Sequence, residues 1–461
     1  MPPFQKLTFM KKILFPVVIT ILLSGVVKAQ SKTETFSFSL QQAIEYAYQH
    51  DVNLLNADLD QQIAKAKVKE TVGIGLPQIN ASLDVKDYFV ENFLFPNVFG
   101  GGSFTGEIPG TFSGLPIKTP TYSATAAVQA SQLIFDGSYI VGLQASKAYR
   151  ELSQKTYTRT KIETAVSVSK AYYNLLVTRQ RLELLDANIL RLKKLNDDTQ
   201  TMYDNGFVEK IDRDRIVLTY NNATVEREKM ERLITLANYL FKYQVGINIT
   251  ANVVLTDSLS AESVKGISVP SEQADVTRRI EYSLLQSQQH LLQLDLKRNQ
   301  FQYLPSLVLI GSLYTTEQRA TLDVFNSHKK WYPTGFVGAT LSVPLFNGLQ
   351  SARKIDQAKL ALKKMENEIT NTTNALNLET ETNRTMLNNA LASFKTQGQN
   401  LELATEVARV SKIKYDQGVG SNLEVINAEA LLKEAQTNYY NSMFDALVAK
   451  VDLDKALGNI K

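Results

Sequence analysis

The chain has 461 residues, with 50 Lys and Arg against 46 Asp and Glu, a near balance that gives no electrostatic reason to expect a nucleic-acid partner. It contains no cysteine, which excludes disulfides, thiolate metal sites, cysteine catalysis and a lipid attached through cysteine.

The amino terminus carries Lys11-Lys12, an apolar run over residues 13–27, and Ala29 before Gln30. A basic segment, a short apolar core and a small residue predict a secretory signal peptide over residues 1–29. The alternative is an uncleaved anchor, but a spanning helix wants about 20 apolar residues. No later stretch is long and apolar enough to be one, so a mature chain that meets a membrane must do so with strands.

Residues 40–71 read as one helix, stopped by Gly73, Gly75 and Pro77. Alternation follows: Ile79, Ala81, Leu83 and Val85 oppose Asn80, Ser82, Asp84 and Lys86, the pattern of a strand with one apolar and one wet face. A Gly/Pro/Phe-rich loop over 95–120 separates it from a second strand, in which Tyr122, Ala124, Ala126, Val128 and Ala130 oppose Ser123, Thr125, Gln129 and Ser131. These strands are predicted at about 77–91 and 121–134. From 138 to 202 there is no proline, and such a helix would reach roughly 100 Å at 1.5 Å per residue. It breaks at Asn205-Gly206 and returns to about 245, closing a helical hairpin. Residues 246–272, rich in Ser, Val and Asn, read as a connector.

The remainder, 273–461, repeats the first unit of 30–245. Leu76-Pro77 returns as Leu304-Pro305, Phe135-Asp136-Gly137 as Phe346-Asn347-Gly348, and Tyr203-Asp204-Asn205-Gly206 as Tyr415-Asp416-Gln417-Gly418. The last two offsets are 211 and 212 residues, so the elements between them have equal length in both copies. Strands are predicted at about 305–315, where alternation is poorer, and 334–345, followed by a helical hairpin at about 349–458. Val168, Leu175, Leu182 and Ile189, with Leu185 and Leu192 alternating, are spaced by sevens. Leu387, Phe394, Leu401, Ala408 and Tyr415 form the corresponding row. That spacing predicts supercoiled packing against neighbouring helices.

Four half-apolar strands cannot close a membrane barrel alone, since single-chain bacterial barrels start at about 8 strands. An open sheet in lipid would leave edge amides and carbonyls unpaired at several kcal/mol each. Completion by other copies is therefore expected. The alternatives are a soluble β-sandwich on a coiled-coil stalk, or a periplasmic scaffold or adaptor without a pore.

The Leu-Pro openings of both hairpins, the Leu133-Ile134-Phe135-Asp136-Gly137 and Pro344-Leu345-Phe346-Asn347-Gly348 exits, and the paired Tyr-x-x-Gly turns resemble the TolC-like outer membrane efflux proteins. The resemblance covers about residues 38–457. It implies a mixed α and β membrane protein: a homotrimer whose 12-stranded outer-membrane barrel continues into a 12-helix periplasmic tunnel. It also implies two partners, a periplasmic adaptor and an inner-membrane pump of RND, ABC or MFS type.

By position, the resemblance places a pore-lining acidic site at Glu424, with Asn427 one helical turn on, where the family's second acid is replaced by an amide. The other reading of Glu424 is a solvated helix position. Tyr415 and Asp212 match two members of a tip lock whose arginine site reads Gly420 here, leaving Arg213 or Arg215 as candidates for closure. Tyr203, Gly206, Tyr415 and Gly418 mark the turns where an adaptor would dock, and Tyr203 and Tyr415 also read as ordinary heptad residues. Trp331, Tyr332, Tyr88, Phe89, Phe93 and Phe95 lie near strand ends, where an aromatic girdle at the lipid boundary is expected; the other reading is simple loop packing. No cofactor is expected, because His50, His290 and His328 are scattered without ligand spacing and no nucleophile motif occurs.

Overall fold

The computed structural model describes residues 35–89, 93–94, 117–118, 122–270, 275–319 and 331–460. The predicted signal peptide, Phe95, most of the loop over 95–120 and His328 lie outside these residues, as does the side chain of Phe93.

In chain order the elements are β1 (Thr35–Phe38), α1 (Leu40–His50), α2 (Val52–Ile74), β2 (Gln78–Asp87), β3 (Phe93–Leu94), β4 (Ile117–Lys118), β5 (Tyr122–Phe135), α3 (Gly137–Asp204) and α4 (Lys210–Val245). They continue with β6 (Asn252–Leu255), α5 (Glu262–Lys265), a 3-10 turn (Val276–Arg278), α6 (Ile280–Phe301), β7 (Ser306–Arg319), β8 (Tyr332–Ser342), α7 (Gln350–Asp416) and α8 (Asn422–Ala456). The chain divides into two compact units, one of residues up to 47, 168–261 and 404–440, the other of 48–167, 262–403 and 441 onward.

In the second unit β2, β5, β7 and β8 form one antiparallel sheet in that order, with β2 and β8 at its edges. Register carries the alternation across the sheet. Leu83 faces Ala126, Val128 faces Leu313, and Gly311 faces Val337, so the apolar sets share one face. The opposite face collects Asn80, Gln129 and Ser312, with a hydroxyl contact of 3.3 Å between Thr125 and Thr316. The weak alternation of 307–314 is explained by Val308 and Ile310, apolar residues on the polar face, opposite Leu133 and Ser131.

The single helix expected over 40–71 is two helices. Asp51 interrupts it by capping α2, accepting from Asn53 N–H at 2.7 Å and from Thr164 Oγ1 at 2.9 Å. A short carboxylate that bonds backbone amides better outside a helix favours this break. In the same unit Arg279 is 3% exposed and bonds Glu281 at 3.0 Å, Glu379 at 2.9 Å and the Ala456 carbonyl at 2.9 Å. It ties the start of α6 to α7 and to the end of α8.

The first unit is built on the heptad rows. Val168, Leu175, Ala237, Phe241 and Val245 are buried with Phe38, Ala43, Ala47 and Val253. The connector does more than connect: β6 pairs in parallel with β1, Thr35 opposite Asn252 through Phe38 opposite Leu255. Asp257 then accepts from the Leu40 N–H at 2.9 Å and from the Tyr172 hydroxyl at 2.7 Å, fixing α1 on α3. Burial, and then this bond to a carboxylate, push the Tyr172 phenol well above its ordinary value.

Replacing Arg279 with Ala leaves two carboxylates without their cation and is expected to destabilise the protein by about 3 kcal/mol, the low end for a broken buried pair because Glu379 is partly exposed. Burial raises the Glu281 pKa, but the Arg279 bond and charge outweigh it and leave the carboxyl below its usual value. The bond's contribution is therefore full above about pH 4.3 and is lost as pH falls through the lowered folded value. Thermal unfolding in detergent should show that acid-side loss in the parent and a weaker one in Arg279→Ala.

Candidate functional site

The two helical-hairpin turns have the same construction. After α3, Gly206 takes φ +80°, its N–H donates to the Tyr203 carbonyl at 3.0 Å, and the Phe207 N–H reaches the Met202 carbonyl at 2.9 Å. After α7, Gly418 takes φ +72°, its N–H reaches the Tyr415 carbonyl at 2.9 Å, and the Val419 N–H reaches Lys414 at 3.0 Å. Both are Schellman endings, which satisfy the last helical carbonyls through a left-handed residue. Gly420 is required for a different reason. A Cβ there would lie 2.9 Å from Lys414 Cβ and 3.0 Å from Tyr415 N, so no side chain, arginine included, fits without moving the turn.

Ser421 begins the returning helix, its hydroxyl and its carbonyl each accepting from the Glu424 N–H at 3.2 Å. Glu424 thus occupies the third helical position of a Ser-x-x-Glu capping sequence, where the helix dipole favours a carboxylate. Glu424 and Asn427 are both exposed. In the first hairpin Asp212 holds the matching position and pairs with Arg215 at 3.5 Å, while Arg213 pairs with Asp214 at 2.5 Å and stacks on the Tyr203 ring at 4.6 Å. Arg213 and Arg215 make these contacts within their own hairpin.

Next to the turns the contacts between the hairpins come from neutral groups, while farther along Lys433 pairs with Glu226. The Tyr415 hydroxyl lies 3.3 Å from Thr199 Oγ1 and 3.8 Å from Met202 Sδ, and its ring packs on Leu195, Ile216 and Val425. Asn422 Nδ2 donates to the Asp212 carbonyl at 2.8 Å. Sequence reasoning missed Asn422; its one signal was an amide where the first copy has Lys210, and the structure buries the amide and exposes the lysine. Farther up the helices Arg191 pairs with Glu429 at 3.4 Å, beside a groove of about 320 Å³ with Leu192, Leu195, Ala408, Val425 and Leu432 on its floor.

On the sheet, Ile79, Leu83, Val85, Val128, Leu309, Leu313, Val337 and Leu341 are all exposed on the apolar face. Trp331 is half-buried just before β8, whose first residue Tyr332 is exposed, as is Tyr88 one residue past β2. At the other end of the strands Leu345 and Phe346 are exposed, an apolar collar that the sequence showed only as a motif. Among the described residues no helix is long and apolar enough to cross a membrane, and no cluster of His, Cys, Asp and Glu is arranged to hold a metal.

A duplicated hairpin with one exposed apolar strand face, joined in each copy to a long helical hairpin, defines a class of membrane proteins that meet lipid with strands. The profile of the outer membrane efflux protein family matches residues 43–215 and 280–459, and the chain belongs to that family, whose members are outer-membrane transport proteins. It is 19% identical over 346 residues to the outer membrane protein TolC of Vibrio cholerae, covering 73% of this chain and 77% of that protein. It is 21% identical over 339 residues to the alkaline protease secretion protein AprF of Pseudomonas aeruginosa, covering 71% and 68%. The solved structure of CusC superposes with a TM-score of 0.73 at 15% identity over 94% of this chain and 95% of that one, which establishes the shared fold.

Gly418→Ala is expected to cost about 1–2 kcal/mol through its left-handed backbone, and Gly420→Ala about 1–3 kcal/mol through overpacking. Limited proteolysis should show both variants cut at the 415–421 turn faster than the parent, with cleavage at 203–209 unchanged.

Proposed function

We propose that the protein is the outer-membrane exit duct of an efflux or type I secretion system, a homotrimer conducting cargo passively. The observation that carries this reading is the sheet with two unpaired edges and one exposed apolar face. Its strands have 10, 14, 14 and 11 residues, against the 9–11 that a tilted membrane-crossing strand needs. In hydrocarbon the edges of β2 and β8 must be paired, and β8 of one copy against β2 of the next does this without new elements. Three copies supply twelve strands, and the coiled helical hairpins continue them as a periplasmic tunnel. A soluble scaffold leaves both the apolar face and the open edges unexplained.

The domain plan follows: residues 1–29 as signal peptide, 30–245 and 273–461 as repeats, and 246–272 as an equatorial connector. Trp331, Tyr332 and Tyr88 stand at the outer lipid boundary, with Leu345 and Phe346 at the inner one. Glu424 from three copies forms a carboxylate ring that favours cations, with Asn427, Asp212, Arg215 and Tyr415 around it. The turns at Tyr203, Gly206, Tyr415 and Gly418 receive the periplasmic adaptor, and the groove with its apolar floor and the Arg191, Lys194, Arg409 and Lys412 rim suits an amphipathic helix. An inner-membrane pump supplies energy and chooses the cargo.

Purified protein should run as a heat-modifiable trimer from the outer-membrane fraction and conduct ions in planar bilayers. Monomeric, non-conducting periplasmic protein would overturn the duct. Glu424→Gln should lower cation-over-anion selectivity, measured as reversal potential in a salt gradient; an unchanged potential would leave Glu424 only its place in the cap.

A further inference from the structure

We propose that the wet face of the second β-hairpin carries a binding site for flat, uncharged aromatic small molecules, centred on Phe336 and the bare backbone at Gly338. The site deepens the duct reading and rests on it, since that reading makes this face the wall of the lumen. On β7 and β8 the face is not uniformly polar. Phe336 is 51% exposed and lies opposite Ser312, with Tyr314 and Ile310 as its diagonal neighbours, and Val308 continues the row. Diagonal neighbours across antiparallel strands stand about 7–8 Å apart, within reach of aromatic side chains. The matching positions of the first hairpin are Thr125, Lys86, Ser82 and Asn80, all polar. The strip that blurs the alternation of 307–314 therefore belongs to one copy only, and the other copy forms the same paired strands without it.

Gly338 lies in the interior of β8, next to Phe336 on this face and opposite Ile310. A strand interior disfavours glycine, yet here no bulge interrupts the pairing and φ is not positive. A Cβ would meet nothing closer than Ile310 Cγ1 at 3.9 Å, an ordinary contact. Neither strain nor crowding calls for glycine, which leaves the third use of such a residue, the close approach of a ligand to the backbone. The missing side chain opens a gap between Phe336 and Thr340, beside Ile310, where a flat ring reaches the sheet. Charge selects the ligand. Over 306–316 and 332–342 the wet face has no charged side chain, and the charged residues Asp84 and Lys86 sit together on β2 with opposite signs. The hydroxyls of Ser312, Tyr314 and Thr334 border the strip, so a neutral ring with polar edge groups fits better than an ion or a plain hydrocarbon chain.

The test is saturation-transfer NMR of caffeine, which is flat, uncharged and freely water-soluble, on the purified full-length protein in detergent, with n-butanol as the aliphatic control. The parent should saturate caffeine and not butanol. Phe336→Ser, which removes one aromatic partner, should weaken caffeine binding about two- to tenfold. Gly338→Val, which fills the gap with a side chain suited to a strand, should weaken it as well. Val337→Ser, one residue away on the lipid face, should leave it unchanged. Trimer mobility and circular dichroism report whether the variants fold. Equal caffeine binding in the parent, Phe336→Ser and Gly338→Val, or an equal loss in Val337→Ser, would overturn the site, while conductance of the parent keeps the duct standing. Butanol saturated as strongly and lost in the same variants would give the strip to aliphatic chains and overturn the aromatic assignment. A parent protein that never conducts would instead remove the duct, and the lumen site with it.

Discussion

A β-strand that enters hydrocarbon has no water to satisfy its amides and carbonyls, and this constraint orders much of the rest of the molecule. Within the sheet every strand but the two outermost is bonded on both sides, so the unmet demand is concentrated on β2 and β8. The exposed aliphatic side chains gather on one face, which leaves the opposite, largely polar face free to be wet, with Phe336 and Tyr332 the exposed aromatics on it. Helices meet a different demand, since their backbone is satisfied internally and their contacts depend on side chains. The chain therefore separates its two tasks: backbone pairing sets the membrane part, and heptad packing sets the long hairpins.

What was legible in the sequence follows that division. Period-two alternation in Ile79 to Val85, the heptad row through Val168 and Leu175, and the Tyr-x-x-Gly turns are local patterns, and each is written in residues close together in the chain. The missed features join residues far apart. The pairing of β1 with β6 links segments more than 200 residues distant through only four residues each, too few for alternation to register. Arg279 reads as one basic residue among 50 until Glu281, Glu379 and Ala456 surround it. The break at Asp51 was readable in principle, because Asp is a common helix cap, but an apolar period running on both sides of it hid the stop.

The turns show how duplication was partly undone. Gly206 and Gly418 have the same backbone conformation and the same pair of carbonyl contacts, since a helix reversal leaves little freedom. One step beyond, the copies diverge. Ser421 caps its helix with a side chain, whereas Glu209 at the matching place makes no side-chain cap bond. Gly420 gives up a side chain so that the turn can close on Lys414, where the first copy keeps Val208. The absence of a side chain at position 420 is thus matched to the packing of the turn.

That steric fact bears on how such a tip can be held. With no room for an arginine at position 420, the links nearest the turns come from Tyr415, Thr199 and Asn422, while the ion pairs Arg191–Glu429 and Lys433–Glu226 join the hairpins farther along. Exposed ion pairs are worth about 0–1 kcal/mol and weaken in salt, while a buried neutral hydrogen bond keeps its contribution because water and ions do not reach it. The neutral links nearest the turns are therefore the salt-insensitive part of the contact between the hairpins, and the two partly exposed ion pairs farther along are its salt-sensitive part.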